Sequence, residues 1–239
     1  MLLWYIAAFC AFFIKGLCGF ANTLVFTSIL SFGAANLEIT PVELLLGYPS
    51  NLLLAWRGRK LLQPRRMAPV AALVLAGNAV GALLLKNLNA RPVRAVCGVA
   101  IMLTGVQMLL RERSGSKRED PPAVGAAMGL AAGVLSGLFG IGAMLAAYVS
   151  RRTDSNEAFK ANLSALFAVE NTFRVVLYLV LGIITLSSAK SALLLLPAAL
   201  LGLFCGLQGA KKLNETHARY AVLALLIVSG AVLTAKAIF

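Results

Sequence analysis

Gly16-Leu17-Cys18-Gly19-Phe20 and Gly137-Leu138-Phe139-Gly140-Ile141 spell nearly the same five residues, each in the middle of an apolar segment that opens one half of the chain. Glycine lowers helix stability and accepts backbone angles that other residues avoid, so each stretch predicts an interruption in an apolar helix. Paired interruptions at corresponding places in two halves point to a site near the middle of a bilayer, of the kind that secondary transporters build from discontinuous helices.

The surrounding composition requires a bilayer. Of the 239 residues, 60% are hydrophobic and 13% charged, and the mean hydropathy is +0.86. Such a chain lacks the polar surface to cover a water-soluble globule. Polar residues cluster between apolar runs of about twenty residues, the length that carries a helix through hydrocarbon. Runs such as 71–85 and 221–235 do not alternate as β-barrel strands do, so the expected fold is all-α. The net charge of +13 does not imply a nucleic-acid partner, because 20 of the 22 Lys and Arg lie at or near the ends of apolar runs, where lipid headgroups and topology explain them. Cys10, Cys18, Cys97 and Cys205 lie inside apolar segments without metal or disulfide spacing, and the single histidine, His217, lies in a polar connection, so neither a metal nor another cofactor is expected. The amino terminus has no basic leader region and no A-x-A site before Lys15, and is read as retained structure.

Eight apolar segments are expected, at roughly 2–33, 37–56, 67–86 and 92–110, then 123–150, 157–181, 188–210 and 217–238. A charged linker at 111–122 separates a first repeat, 1–110, from a second, 123–239. Gly77, Gly81, Lys86, Leu88, Asn89, Arg94 and Gly105 recur 125 residues later as Gly202, Gly206, Lys211, Leu213, Asn214, Arg219 and Gly230, and the glycine breaks recur after 121, which reads as a duplication. The opening segment of each half is long for one crossing and short for two, as a re-entrant hairpin would be. If both opening segments re-enter, the basic clusters at 57–66, 111–118, 151–160 and 211–219 share one face, giving 15 Lys and Arg against 5; if all eight cross, the count is 11 against 9. Only the first arrangement obeys the positive-inside rule, and it turns the halves into inverted repeats with both termini outward.

Two cations fall inside apolar segments, Lys15 and Arg174, where an unpaired charge is expensive and marks function. Backbone amides that open returning half-helices after the breaks attract anions. The candidate substrate-binding residues are therefore Lys15, Gly16, Cys18, Gly19, Asn22 and Asn51 in the first half. Those in the second half are Ser136, Gly137, Gly140, Gly142, Asn171 and Arg174. Glu170, one turn before Arg174, can neutralise it or serve as a proton-coupling carboxylate. No Ser/His/Asp set or phosphate loop appears, so the chain does not read as an enzyme. The competing reading is a membrane scaffold or assembly subunit, possible as a homo-oligomer, whose glycines serve helix packing.

The motif Gly129-x3-Gly133-x3-Gly137-Leu138-Phe139-Gly140-Ile141-Gly142, followed by Phe159-Lys160-Ala161-Asn162 and a helix through Arg174 and Tyr178, resembles the second half of the TauE/SafE family of sulfite exporters. Gly16-Leu17-Cys18-Gly19-Phe20 resembles the corresponding element of its first half. Ala21, Asn22 and Ala143 stand where family members often carry glycine. The resemblance implies a multi-pass transporter of the bacterial inner membrane. Its implied substrates are small sulfur-containing or organic anions, such as sulfite, thiosulfate or sulfoacetate, moved by ion gradients.

Overall fold

The computed structural model of the chain describes residues 1–30, 33–34, 36–87, 122–139, 142–150, 152–153 and 155–210, with isolated positions between 99 and 110 and between 220 and 235. Regular structure among them is helical: α1 (Leu2–Cys18), α2 (Asn22–Leu30), α3 (Asn36–Arg57), a 3-10 turn (Arg59–Leu61), α4 (Pro64–Asn87), α5 (Pro122–Phe139), α6 (Ala143–Ser150), α7 (Asn156–Val180) and α8 (Leu186–Ala210). The expected linker lies outside the described residues up to position 121. So do most of the segments 92–110 and 217–238, Gly140, Cys97 and His217. By length and composition, α7 and α8 each suffice to cross a membrane.

The first glycine break forms as the sequence suggests. Gly19 takes φ 88 and its N–H bonds the carbonyl of Lys15 at 2.6 Å, a left-handed cap that closes α1. Ala21 follows at φ 73, and α2 then folds back along α1, bringing the ring of Phe26 to 5.9 Å from that of Trp4. Local signals also start the later helices. Ser155 accepts the N–H of Ala158 to cap α7, and Thr185 and Ser188 exchange side-chain and backbone hydrogen bonds at the start of α8.

Side-chain contacts give the helix directions. Tyr48 meets Thr172 while Gly58 meets Ala161, so α3 and α7 are antiparallel. Gln63 bonds Asn162 and Asn78 bonds Glu170, so α4 runs with α7. Arg57, ending α3, lies over the Phe204 ring near the end of α8. Thus α1, α3 and α8 run one way and α4, α5 and α7 the other, with α2 returning the chain between the two parallel helices α1 and α3.

Two helix pairs pack backbone to backbone. Gly202 lies against the carbonyl of Phe9 and the amide of Phe13, and Gly77 against the carbonyl of Leu130 and the amide of Val134. Shifting 77 by 125 gives 202, and shifting 9 and 13 by 121 gives 130 and 134, so the two offsets read in the sequence connect the same backbone atoms in both interfaces. Gly16 and Gly206 extend the α1–α8 contact, and Gly129 and Gly133 the α4–α5 contact. Lipid tails supply no hydrophobic drive between helices, so this close approach is what holds them together. The outer surface is apolar, with Val180 80%, Leu193 71% and Leu201 61% exposed.

Candidate functional site

The core has two apolar clusters, one from α1, α2, α3 and α8 and one from α4, α5, α6 and α7 together with the turn from Cys18 to Leu24, and buried polar residues lie beside them. Lys15, Glu43, Glu170 and Arg174 are each no more than 3% exposed, two cations and two carboxylates at the centre of the molecule. Burying four charges is tolerable only when they satisfy one another and gather further hydrogen bonds.

The bonds come from α1, α2, α3, α4, α5 and α7. Glu170 Oε1 accepts from Asn78 of α4 at 2.8 Å and from Ser136 of α5, and lies 3.9 Å from the Arg174 guanidinium. Arg174 Nη2 donates to the Tyr178 hydroxyl at 3.1 Å, which donates in turn to the carbonyl of Gly137 at 2.7 Å. On the other side, Asn22 donates from its side-chain amide to Glu43, and Lys15 Nζ donates to the carbonyl of Gly47 at 3.4 Å while lying over the Phe12 ring. Gly47 leaves room for this convergence: a Cβ there would sit 3.3 Å from Glu43 Oε1, 3.4 Å from Asn22 Nδ2 and 3.9 Å from Asn171 Nδ2.

Between the two sides lies a cavity of about 30 Å3, more than the ~10–15 Å3 that one water needs. Phe20 to Leu24 line it from the first break, Glu43 and Asn51 from α3, Ser136 from α5, Gly142 from the second break, and Phe167, Glu170, Asn171 and Arg174 from α7. Asn51 Oδ1, Glu170 Oε2 and Arg174 Nε are buried there without a partner in the protein. A cavity wall thus carries one free charged donor and two free acceptors, which suits a polar occupant. Among the described residues no group of three or more His, Cys, Asp or Glu gathers to hold a metal ion.

The residues singled out from sequence divide sharply. Asn22, Asn51, Ser136, Gly142, Glu170, Asn171 and Arg174 meet at the cavity. Lys15 stands behind its wall at Gly47. Gly16 packs against the α8 backbone, Cys18 sits in the apolar cluster around α5 and α7, Gly19 lies against Lys160, and Gly137 contributes its carbonyl to Tyr178. Gly140 lies outside the described residues. Sequence reasoning passed over Glu43, Thr23, Phe167, Asn78 and Tyr178. Glu43 carried a signal, an ionisable residue inside the apolar segment 37–56, the same rule that marked Lys15.

The chain matches the family described as Sulfite exporter TauE/SafE over residues 4–233. It belongs to the TauE/SafE family. No curated protein and no solved structure matches it. TauE/SafE membership makes the chain an integral membrane transporter of anions rather than an enzyme. The residues that carried the resemblance do structural work in this TauE/SafE chain. Lys160 Nζ donates to the carbonyl of Leu17 at 2.8 Å, supporting the end of α1. Asn162 accepts from the amide of Gln63 and donates to the carbonyl of Leu61, pinning the basic turn between α3 and α4 to α7.

Proposed function

We propose that the protein is a secondary transporter of a small sulfur-containing or organic anion, such as sulfite, thiosulfate or sulfoacetate, across the bacterial inner membrane. The substrate occupies the cavity between the two glycine-broken elements, held by Arg174 and by the side-chain amides of Asn22, Asn51 and Asn171. The observation that carries this reading is the set of buried, unpartnered polar atoms on the wall of a cavity that the start of α2 also lines, Arg174 Nε foremost. A guanidinium and helix-opening amides around a buried cavity favour an anion.

The reading includes an inverted duplication, with 1–110 and 123–239 as repeats and the opening segment of each as a re-entrant hairpin. Its support is the direction of the helices: α1 and α3 oppose α4 in the first half, and α5 and α7 oppose α8 in the second. The matched backbone contacts of Gly77 and Gly202 add to it. Inverted halves rocking about a central site give alternating access. The glycine interfaces also suit a scaffold, but helix packing alone does not call for four buried charges, three of them on a cavity wall.

Thermal unfolding of the purified protein with sulfite, thiosulfate and sulfoacetate tests the site, since a ligand bound only by the folded state raises the melting temperature. At least one of them stabilises the protein and exchanges across proteoliposomes. If none does either, the scaffold reading takes over.

A further inference from the structure

The start of α2 is where a substrate anion belongs, yet the chain's own carboxylate stands there. Glu43, on α3, accepts from the side-chain amide of Asn22, the first residue of α2, and shares the cavity wall with Thr23, the second. The positive end of a short helix has room for one anion at a time. Beside it, on the same cavity, Arg174 Nε and Asn51 Oδ1 are buried without partners, Arg174 being 1% and Asn51 3% exposed, so the cavity is built for an occupant beyond Glu43 itself.

We propose that Glu43 is a tethered competitor: a substrate anion settles at the start of α2 only when Glu43 takes up a proton, so that one proton and one anion occupy the site together. The proposal rests on the transport reading. It identifies Glu43, rather than Glu170, as the proton carrier. Glu170 Oε2 also lies unpartnered at the cavity, but Glu170 Oε1 is engaged by Asn78, Ser136 and Arg174, a tie that holds three helices together.

Charge balance supports the coupling. The groups facing Glu43 are Lys15 of α1, Asn22 and Thr23 of α2, and Arg174 and Glu170 of α7. From α8 the only charged residue is Lys190, which is exposed. With all four groups ionised, two cations and two carboxylates sum to zero, and a proton on Glu43 then leaves one positive charge, which a monoanion cancels. Both forms of the site, empty with Glu43 ionised and filled with Glu43 protonated, are then neutral and cost less to occlude from water than a form that carries net charge. The proton forms an O–H bond on the Glu43 carboxylate from water on the side where the anion enters. That bond breaks to water on the other side once the anion has left. Flux runs in whichever direction the combined gradients dictate.

Proteoliposomes carrying radiolabelled sulfite or methanesulfonate, with a dye reporting internal pH, test this. Methanesulfonate keeps its charge near neutrality, so protons that move with it are carried by the protein. The wild-type protein moves protons together with the anion, and a pH difference of one unit changes the rate several-fold. In Glu43→Gln that stimulation falls to about onefold, whatever rate remains, while Glu170→Gln keeps it. Stimulation that survives in Glu43→Gln, or is lost in Glu170→Gln instead, overturns the assignment but leaves the transporter standing. A wild-type protein that moves and binds neither anion removes the transport reading itself. Binding of methanesulfonate by the wild type covers a variant that does not fold: its affinity tightens by up to ~tenfold for each pH unit lowered across the Glu43 titration, and a flat profile sinks the proposal.

Discussion

Tyr178 joins two groups that would otherwise be stranded, the Arg174 guanidinium and the carbonyl of Gly137. Removing the hydroxyl in Tyr178→Phe leaves both unsatisfied, and a buried group deprived of its partner costs about 1–3 kcal/mol. The variant should melt at lower temperature and bind sulfite more weakly, because Arg174 loses the bond that steadies it. An unchanged melting curve would remove Tyr178 from the network. Ala21 presents the opposite situation. Its φ of 73 lies in the left-handed region, which costs an L side chain roughly 1–2 kcal/mol. Glycine escapes that strain and gives back about 0.5–1 kcal/mol as chain entropy. Ala21→Gly is therefore expected to raise stability by up to about 1 kcal/mol, read from chemical denaturation in detergent; destabilisation would contradict the described turn. Lys15 and Arg174 were both legible as buried cations in an apolar segment. That Lys15 faces Gly47 and not the cavity was not, because one residue of helix register moves a side chain about 100° around the axis.

Among the helices, the decisive contacts are backbone to backbone. A Cβ on Gly16 would lie 2.5 Å from the carbonyl of Leu203 and 2.7 Å from the amide of Leu207, and neither atom can yield without moving α8. Gly16→Ala should cost about 1–3 kcal/mol, the usual effect of overpacking a tight contact. Gly33→Ala, where nothing lies within 4 Å, serves as the control and should leave the melting temperature alone. Equal losses in the two variants would show that Gly16 does not sit in an interface. The glycines of the first break thus separate by task, with Gly19 ending α1 through its left-handed angle and Gly16 letting α8 approach. The spacing Gly16-x-x-Gly19 alone does not distinguish a turn from a packing surface, since glycine suits both and the neighbour that selects between them lies some 190 residues away in sequence.

For the whole molecule, the antiparallel arrangement of α3 and α7 puts the basic turn 57–66 and the start of α7 at one end, and the link between α7 and α8 at the other. Single cysteines in a cysteine-free background report the faces. Arg59→Cys should react with an impermeant maleimide only after the cytoplasmic side is opened, and Lys190→Cys should react from outside; labelling of both from one side would refute the inverted arrangement. Composition alone decided that the chain is helical and lives in a bilayer, because hydrophobic content and run length leave no other solvent for it. The 121- and 125-residue offsets and the two glycine breaks were also written in the linear order, as were the polar residues Asn51, Asn171, Ser136 and Glu170 that reach the cavity. Folding alone decided which of these meet. Glu43 becomes part of the site only when α2 folds back against α3, and Asn78 and Tyr178 only when α4 and α5 close on α7. Proximity in the folded chain depends on helix rotation and crossing, which depend on packing between distant segments. A charged site is therefore assembled by tertiary contacts from residues whose sequence neighbours are merely apolar.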